Sequence, residues 1–489
     1  MLVLTVLLTT PLFASCISFL TNAQTSNGQR TPISEFPLPQ SNAYPLGVAV
    51  DANGHVWFAE ANTDLLVEFF PTNQSYVSFP IPTQPHLAMI WFLVFDQSGN
   101  LWFADPVQSL IWKFVPSSHS FSNYTTNDQN LKPYGLAYNP DTKQIWFTSV
   151  YSNQIGSFQI LAGGSAQISS VVTLPTANGK NTGPSGITLD SNGNVFVSES
   201  FASKIVEYDP QTSSFVHVWN LPGYAQPVGI RVDQQTNLIW FADHASSLFG
   251  YVNMTSDSVT QIATSLFQTS VGTQISTTIS LPYWLTLSNS GEVWFDEHYA
   301  NRIARYDPKT FQLDEFQVPT NGSQPLRFQI DEARNQFWFT EFTGNNLGEL
   351  NLNASAGETI VTPRHVSLDQ ASPSFVVNLP LGQIGNGSFS GSMSYDGFIS
   401  SNLTFSYSSV NSTATKVFLH KGSELSPGNY TLTVCPDNTG KDLFKSCSIL
   451  EISVGKSSPL LNEQLIILVG AVAIVAGSLS TVYLKRRRK

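Results

Sequence analysis

Six acidic residues recur at equivalent positions along this chain, each at the end of a Trp-Phe-x tripeptide or a close variant. They are Glu60, Asp105, Glu199, Asp243, Glu297 and Glu341, and Ser149 takes the same position in one further copy. Carboxylate oxygens are preferred ligands of Ca²⁺ and Mg²⁺, so such a set could hold a divalent cation. On this interpretation Asp105, Glu297 and Glu341 are candidate metal ligands. Glu60, Glu199 and Asp243 are then candidate binding groups for a ligand.

A second interpretation gives the same carboxylates a structural role. A small polar residue stands four positions after the recurring position in six of the seven copies. These residues are Ser109, Asn153, Ser203, Ser247, Asn301 and Asn345. The spacing is typical of side chains that fasten the following turn by local hydrogen bonds.

Two histidines directly follow an acid, in Asp243-His244 and Glu297-His298. Neighbouring residues on a strand face opposite sides, so the two side chains meet only if a turn begins there. In that case His298, beside Asp296, is a candidate catalytic base or metal ligand. His244 is a candidate binding residue.

The elements that carry these residues can be read from the repeat. The recurring positions lie 45, 44, 50, 44, 54 and 44 residues apart, and each copy contains short runs of alternating apolar residues. Asn53-Gly54 and Asn192-Gly193 supply the tight turns of hairpins. Self-similarity at this period, with short aromatic-rich strands, indicates a β-propeller. We therefore predict an all-β, seven-bladed β-propeller over residues 31–363, closed by pairing residues 33–39 with the last repeat.

The tryptophans support this assignment, because all ten lie between Trp57 and Trp338. One Trp per repeat at a fixed strand position predicts packing between adjacent blades. Four others fall outside that position and are better candidates for a ligand surface. These are Trp91, Trp112, Trp219 and Trp284, of which Trp91 and Trp284 are the candidate binding residues.

The two ends of the chain predict export and a membrane anchor. Residues 1–23 read as a signal peptide, and a lipidated start at Cys16 is disfavoured by the apolar residues after it. Residues 465–484 contain no charge and are long enough to span a bilayer, and the basic residues 485–489 follow at once. A basic cluster stays cytoplasmic, so we expect a single-pass type I protein of the cell membrane with an extracellular ectodomain. The net charge is −11, and −16 without the five basic residues at the end, which argues against a nucleic-acid partner.

Residues 364–455 have a different β pattern, and Leu425 to Val434 resembles a late hairpin of immunoglobulin-like domains. We predict a β-sandwich that serves as a spacer between propeller and membrane. Cys435 and Cys447 are twelve positions apart in this exported segment, which predicts a disulfide. Glycosylation sequons begin at Asn73, Asn123, Asn253, Asn321, Asn353, Asn386, Asn402, Asn411 and Asn429.

The Pro-x-Gly start of the repeats, the Trp-Phe-x-Glu strand and the run from Asn301 to Arg305 resemble the streptogramin lyase family, related to NHL and gluconolactonase-like propellers. The resemblance implies a seven-bladed propeller and a metal-assisted elimination that opens a cyclic depsipeptide ester. The family's Glu-Pro-His-Gly signature of the last blade reads Gln324-Pro325-Leu326-Arg327 here, so only the later Glu341 matches. The closest variant is Gln84-Pro85-His86-Leu87, which makes His86 a candidate catalytic residue together with His298 and Glu341.

Three functions remain open from the sequence. The first is the binding of an extracellular ligand or protein partner at the loop face or channel of the propeller. The second is a metal-assisted lyase or lactonase that uses Mg²⁺ or Ca²⁺ and acts on cyclic esters. The third is a structural role in the cell envelope.

Overall fold

The computed structural model describes residues 32–83, 89–176, 179–265, 280–355, 361–377, 393–394, 403–412, 414–421, 427–435 and 444–455. The predicted signal peptide, the predicted span at 465–484, the basic stub, His86 and two sequons, at Asn386 and Asn402, lie outside these residues. Within the described part, no helix is both long and apolar enough to cross a membrane.

Each repeat forms one four-stranded antiparallel sheet, which we call a blade and whose strands we number in chain order. Strand β1 spans Ile33–Pro37. Blade 1 contains β2 (Pro45–Val50), β3 (Val56–Glu60), β4 (Leu65–Phe70) and β5 (Ser75–Pro80). Blade 2 contains β6 (Leu93–Phe95), β7 (Leu101–Asp105), β8 (Leu110–Val115) and β9 (Ser120–Thr125). Blade 3 contains β10 (Leu136–Asn139), β11 (Gln144–Ser149), β12 (Gln154–Ile160) and β13 (Ala166–Thr173).

The remaining blades follow the same order. Blade 4 contains β14 (Pro184–Leu189), β15 (Val195–Glu199), β16 (Lys204–Asp209) and β17 (Ser214–Asn220). Blade 5 contains β18 (Pro227–Asp233), β19 (Leu238–Asp243), β20 (Leu248–Asn253) and β21 (Ser258–Ala263). Blade 6 contains β22 (Pro282–Leu287), β23 (Val293–Glu297), β24 (Arg302–Asp307) and β25 (Gln312–Gln317), with a 3-10 turn at His298–Ala300. Blade 7 contains β26 (Pro325–Asp331), β27 (Gln336–Glu341) and β28 (Asn346–Asn351).

The N-terminal strand closes the propeller, as the sequence predicts. Strand β1 pairs antiparallel with β28, from Ile33 opposite Leu350 to Pro37 opposite Asn346, and so provides the fourth strand of blade 7. Closure between the first and last strands covers an edge that would otherwise expose unpaired backbone groups.

The repeated tryptophans fill the space between blades. Those of the second strands are all buried, with at most 2 % of their surface exposed. They are Trp57, Trp102, Trp146, Trp240, Trp294 and Trp338. Trp112 and Trp219, proposed from the sequence as surface candidates, are buried in the same way, so that prediction is wrong for them. Burying such large apolar side chains is the main favourable contribution to the stability of the blades.

Eight further strands follow the propeller. They are β29 (Val361–Thr362), β30 (His365–Ser367), β31 (Ser374–Val377), β32 (Met393–Ser394), β33 (Leu403–Asn411), β34 (Ala414–Lys421), β35 (Gly428–Val434) and β36 (Phe444–Val454). Strands β29, β31, β34 and β33 form one sheet, and its buried residues Phe375, Val377 and Val417 share a core with Tyr430, Leu432 and Ile452 of β35 and β36. This arrangement is a small β-sandwich.

The sandwich is joined directly to blade 6, which differs from the predicted spacer. Strand β36 pairs antiparallel with the outer strand β25, from Gln312 opposite Ser448 to Phe316 opposite Phe444. The hydroxyl of Thr433 in β35 donates to the backbone oxygen of Ala263 in blade 5, over 2.6 Å. A continuous sheet and a packed contact therefore fix the sandwich to the propeller.

The predicted disulfide is present, and it joins Cys435 to Cys447. Both cysteines belong to a core cluster that also contains Phe295 and Leu313 of blade 6. The disulfide therefore supports the part of the sandwich that packs on the propeller.

Candidate functional site

The recurring acids lie on one face of the propeller, where the second strand of each blade ends and the first strand begins. We call it the acid face. Asp105 accepts hydrogen bonds from the backbone N–H groups of Val107 and Gln108, both at 3.0 Å, and from the side chain of Gln108. Asp243 accepts from the N–H groups of Gln226 and Ala245 and from the hydroxyl of Ser246. These two carboxylates fasten the turn that follows them.

The glutamates of the set are less completely bonded. Glu60 accepts from the Thr63 hydroxyl at 2.5 Å, and Glu199 accepts from the Thr182 hydroxyl at 2.9 Å. Burial raises the pKa of both carboxyl groups. Glu341 is fully buried, and burial, followed by the nearby Glu35 carboxylate, raises its pKa to about 8. Such groups hold a proton more readily than an exposed glutamate does.

The polar residue four positions after the acid has a different task from the one the spacing suggested. Asn301 donates to the backbone oxygens of Val318 and Thr320 and accepts from the N–H and hydroxyl of Ser323. Asn153 and Asn345 make the corresponding bonds to the chain that leads into the next blade. These side chains therefore tie one blade to the next, whereas the partner of the acid is three positions away, as in Thr63 and Ser246.

The structure does not bring the candidate metal ligands together. Among the described residues, the group of three whose ligand atoms approach within 4.8 Å of one another is Asp51, His55 and Glu68, on the opposite face. None of Asp105, Glu297 and Glu341 belongs to it. His55 Nδ1 lies 2.8 Å from Glu68 and 3.5 Å from Asp51.

The equivalent residues of blade 4 form a similar group that is held together by hydrogen bonds and needs no cation. Asn194 there donates its amide to Asp190, at 3.2 Å, and to Glu207, at 3.0 Å. His55 is the blade 1 counterpart of Asn194, and it can donate an N–H in the same way. The group is therefore a hydrogen-bonded turn in which histidine replaces asparagine.

The channel end of the acid face differs between blades. The chain enters the first, inner strand of each blade through a Pro-x-Gly segment or a variant of it. The third residue of this segment is glycine in four blades: Gly47, Gly135, Gly186 and Gly229. In blades 2, 6 and 7 this position holds Phe92, Trp284 and Arg327. A Cβ on Gly229 would lie 2.6 Å from the backbone nitrogen of Leu285, so this glycine allows close approach of two inner strands. Three large side chains thus enter the channel where the other blades have none.

Four aromatic rings form a cage around the guanidinium group of Arg327. The Arg327 guanidinium carbon lies 4.2 Å from the ring centre of Phe92, 4.6 Å from that of Trp284, 4.9 Å from that of Tyr283 and 5.3 Å from that of Trp91. Its Nη2 donates to the Tyr134 hydroxyl at 3.2 Å, and that hydroxyl lies 2.6 Å from the hydroxyl of Tyr283. Arg327 is 2 % exposed, so the cation is stabilised mainly by the ring faces. Trp284 is also buried, which contradicts its predicted place on a ligand surface.

The third residue of the Trp-Phe-x-acid motif connects inner strands around the channel. Thr148 accepts from the Gly135 N–H and donates to the Ser185 oxygen of the next blade, and Ser198 acts in the same way between Gly186 and Val228. Asp296 is the counterpart in blade 6, and its Oδ1 accepts from the Trp284 N–H at 2.6 Å. Burial raises the pKa of Asp296 well above its usual range, against the opposing effects of the Trp284 N–H and of Arg327, so this carboxyl group holds a proton more readily than an exposed aspartate does.

His244 and His298 lie together at the channel mouth. The rings of His244 and His298 stack with centres 5.1 Å apart, and Tyr283 packs edge-on against both. His298 Nδ1 donates to the backbone oxygen of Leu281 at 2.8 Å, whereas Asp296 bonds to Trp284, so the predicted pairing of His298 with Asp296 is not seen. Burial, with a smaller contribution from His244, lowers the pKa of His298 to about 4. Burial also lowers the pKa of His244. Both imidazoles are therefore neutral at pH 7.

Exposed apolar side chains follow the acids at a fixed distance, a signal that the sequence reading missed. The residue two positions after the acid points outward in every blade, and it is Val107, Tyr151, Phe201 and Tyr299 in blades 2, 3, 4 and 6. Tyr151 is 74 % and Phe201 is 64 % exposed. Tyr224, in the connection from blade 4 to blade 5, is 84 % exposed. The acid face therefore presents separate aromatic rings to solvent.

With this geometry in hand, comparison with known proteins identifies the scaffold. Residues 31–264 match the sequence model of the Virginiamycin B lyase family. The fold is also similar to virginiamycin B lyase from Staphylococcus aureus, with a TM-score of 0.55 and 23% identity over 65% of this chain and 99% of the other. The chain carries a streptogramin lyase-like β-propeller.

Two further solved structures have the same fold. A catalytically inactive histidine-to-alanine variant of the S. aureus lyase with quinupristin gives a TM-score of 0.55 at 22% identity, covering 65% of this chain and 99% of that one. The extracellular domain of a hybrid two-component system of B. thetaiotaomicron gives 0.50 at 16%, covering 87% of this chain and 59% of that one. No curated protein sequence matches the chain. At these identities the structural likeness establishes the fold alone.

The streptogramin lyase-like scaffold implies a divalent cation near the last blade, and the residues there do not fit one. Leu326 and Arg327 stand in place of the family's histidine and glycine, and Gln324 stands in place of its first carboxylate. Glu341, the one matching acid, is bonded to Asn346 at 3.0 Å and paired with Glu35. Arg327 adds a positive charge to the channel, which would repel a metal ion. We therefore derive no chemical step through a metal.

Proposed function

We propose that the protein binds an extracellular ligand or protein partner on the acid face of its propeller, without catalysis. The observation that carries this proposal is Arg327 in its aromatic cage. It fills the part of the channel where the resemblance expects a histidine and a glycine. An elimination needs a base near the acidic proton and an electrophile for the developing charge, and these residues provide neither in the last blade.

The surroundings of the cage support binding. Neutral His244 and His298, with Tyr283 and the half-buried Trp91, line the channel mouth with aromatic surface and few charges. Small-molecule sites are commonly built from aromatic walls with a few polar groups. The turns of blades 3 and 4 add the exposed rings of Tyr151 and Phe201.

A paired assay on the full chain tests this proposal. Immobilised oligosaccharides and peptides are screened for binding, and virginiamycin B is incubated with the same sample in the presence of millimolar Mg²⁺. We expect at least one probe to bind, with weaker binding after His244→Ala and unchanged binding after Asp141→Ala on the opposite face. Ring opening of virginiamycin B by the unmodified chain would overturn the proposal.

The family match favours a second candidate, a metal-assisted lyase or lactonase for cyclic esters. In that case His86 or His298 would act as the base, and Glu341 is the one carboxyl group that matches the family's motif. Glu341→Gln and His86→Ala should then each slow ester opening by about 100-fold or more. Unchanged rates in both variants would remove this candidate.

The proposal also includes the setting of the protein. A signal peptide, an anchor at residues 465–484 and a cytoplasmic stub would place the propeller outside the cell as a single-pass type I protein. An immunoglobulin-like classification of the sandwich and glycosylation at exposed sequons such as Asn73, Asn123 and Asn321 belong to the same proposal. Protease protection of intact cells tests the membrane topology. Glycosidase treatment followed by mass measurement tests the glycosylation.

A further inference from the structure

The exposed rings are concentrated in one sector of the acid face, which we call the blade 3–4 rim. It consists of residues 126–134, 149–153, 174–176, 179–183, 199–204 and 221–226. We infer that this rim binds an anionic polysaccharide, with its aromatic rings against sugar faces and its lysines on the acidic groups. The inference rests on the proposed binding function and names the ligand class for one part of the acid face.

The rings of the rim are linked through the chain between them. Asn181 donates its amide to the backbone oxygens of Val150, at 2.7 Å, and Tyr151, at 3.3 Å. Two residues further on, a Cβ added to Gly183 would lie 2.6 Å from the Phe201 ring, so that ring lies directly over this glycine. Leu221, which begins the segment with Tyr224, donates its N–H to Ser203 beside Phe201. Tyr151, Phe201 and Tyr224 therefore follow one another along adjacent blades.

The charges of the rim distinguish it from the rest of the face. Lys132 lies in its first segment, with its ammonium group 5.7 Å from the centre of the Tyr151 ring. Lys180 is exposed in the segment next to Tyr151, and the half-buried Lys204 follows Phe201. The acids of the rim are Asp128 and Glu199, and Glu199 is fully buried with a raised pKa. The solvent-facing charge of the rim is thus positive.

The corresponding turns of blades 5, 6, 7, 1 and 2, and the connections between these blades, contain several acids and a single basic residue, Arg302. Their acids are Glu60, Asp64, Asp105, Asp243, Glu297 and Glu341. Arg302 takes the place of Lys204 in blade 6, but it is bound to Glu315 at 2.8 Å and its side chain is 14% exposed. In a chain of net charge −11, an anionic partner would therefore be directed to the rim.

No residue of the rim is a predicted glycosylation site. Between Asn123 and Asn253 the sequence contains no Asn-x-Ser/Thr triplet, and the rim lies entirely in that interval. A glycan would therefore start from a residue outside the rim, of which Asn123 is the nearest in sequence.

The surroundings of the rings favour a sugar chain over a protein. Protein interfaces have a packed apolar centre, usually with aromatic and aliphatic side chains in contact. The rings of the rim instead stand apart, next to polar residues such as Ser152 and the exposed Asn181. Separate rings between hydrogen-bonding groups match a polymer whose units each have an apolar face and a polar edge.

The test measures binding of the full chain to polygalacturonate, alginate and heparin, with neutral dextran for comparison. We expect binding to at least one anionic polymer and at most weak binding to dextran. The double substitution Tyr151→Ala/Phe201→Ala should weaken that binding by about tenfold or more. Lys132→Gln/Lys180→Gln should weaken it and reduce its dependence on salt.

Tyr299→Ala is the matched control, because it removes an exposed tyrosine at the equivalent turn position of blade 6. It should leave polymer binding unchanged, and thermal unfolding should show all variants folded. Equal loss of binding with Tyr299→Ala, or salt-independent binding to dextran and anionic polymers alike, would overturn the inference. Failure to bind any anionic polymer would also overturn it. A peptide or neutral oligosaccharide bound in the screen for the proposed function would then show that the binding function survives without it.

Discussion

The blade 3–4 rim and the remaining acid face are built from the same repeat, yet they use it differently. The recurring carboxylates are buried in both regions, including Glu199 of blade 4. Outside the rim, three of the inner strands carry Phe92, Trp284 and Arg327 into the channel. In blades 3 and 4 the inner strands have Gly135 and Gly186 at that position, and the turns and connections there present both exposed rings and lysines to solvent.

This contrast separates what the repeat needs for folding from what one sector adds. The acid, the tryptophan and the polar residue at the fourth position hold each blade and its connection, so they recur almost everywhere. The residue two positions after the acid is exposed in each blade, and its side chain varies from Asn62 to Phe201 and Ala245. Variable, exposed turn positions on a rigid scaffold are where binding specificity is usually found.

The largest effect on stability is expected from a substitution of Arg327 in the channel. Arg327→Ala removes a buried cation from four aromatic ring faces and leaves a cavity, so we expect the free energy of unfolding to fall by about 4 kcal/mol. Urea denaturation measures it. Arg334→Ala, which affects a 37% exposed arginine side chain on the opposite face of the same blade, is the control and should cost less than about 1 kcal/mol. A more stable Arg327→Ala protein would show that the cage does not stabilise the channel.

A smaller loss should follow from removing a fully bonded turn carboxylate. Asp243→Ala leaves the N–H groups of Gln226 and Ala245 and the Ser246 hydroxyl without their acceptor, and we expect a loss of about 3 kcal/mol. Asp243→Asn keeps an acceptor oxygen and should lose less. Equal stability of both variants and the unmodified protein would contradict the structural role of the acids.

The framework could be predicted from the sequence because it follows from local periodicity. The alternation of apolar residues, the Trp at a fixed strand position and the Ile33–Pro37 pattern each predict elements that the structure contains. The position of the Cys435–Cys447 disulfide needed no more than spacing and the expected compartment.

The channel and the sandwich could not be predicted in the same way. The cage joins residues more than 230 positions apart, such as Trp91 and Arg327, and no local pattern states that they meet. A signal was present, because Phe92, Trp284 and Arg327 break the Pro-x-Gly start seen in other blades. The pairing of β36 with β25 carries no such signal, since any exposed edge strand of similar length offers the same backbone groups.

The buried carboxyl group of Glu341 should make the stability of the protein depend on pH. Glu341 has a folded-state pKa of about 8 against about 4.5 for an unfolded glutamate, so the folded state keeps a proton that the unfolded state releases. Stability should therefore fall as the pH rises from about 4.5 to about 8 and then level off. Glu341→Gln mimics the protonated form, so it should be more stable than the unmodified protein at pH 8 and lose this advantage at pH 5.

Unfolding curves at pH 5 and pH 8 check this point, and the difference between variant and unmodified protein cancels the titration of His244 and His298. If the difference is the same at both pH values, the carboxyl group does not titrate in this range. Glu68→Gln removes a carboxyl group on the opposite face whose pKa burial also raises, so it should show a difference of the same sign.

The smallest effect on stability is expected at the rim. A small effect would show that the exposed rim side chains do not support the fold. Tyr151, Phe201 and Lys180 are exposed, and we expect Tyr151→Ala, Phe201→Ala and Lys180→Gln each to change the free energy of unfolding by less than about 0.5 kcal/mol. Thermal and urea unfolding measure this directly. A loss of more than about 1.5 kcal/mol in Tyr151→Ala would mean that the ring supports the fold as the acids do, and the contrast between the two sectors would disappear. Unchanged stability combined with lost polymer binding would instead show that these rim residues serve binding, whereas the buried acids of the same face serve folding.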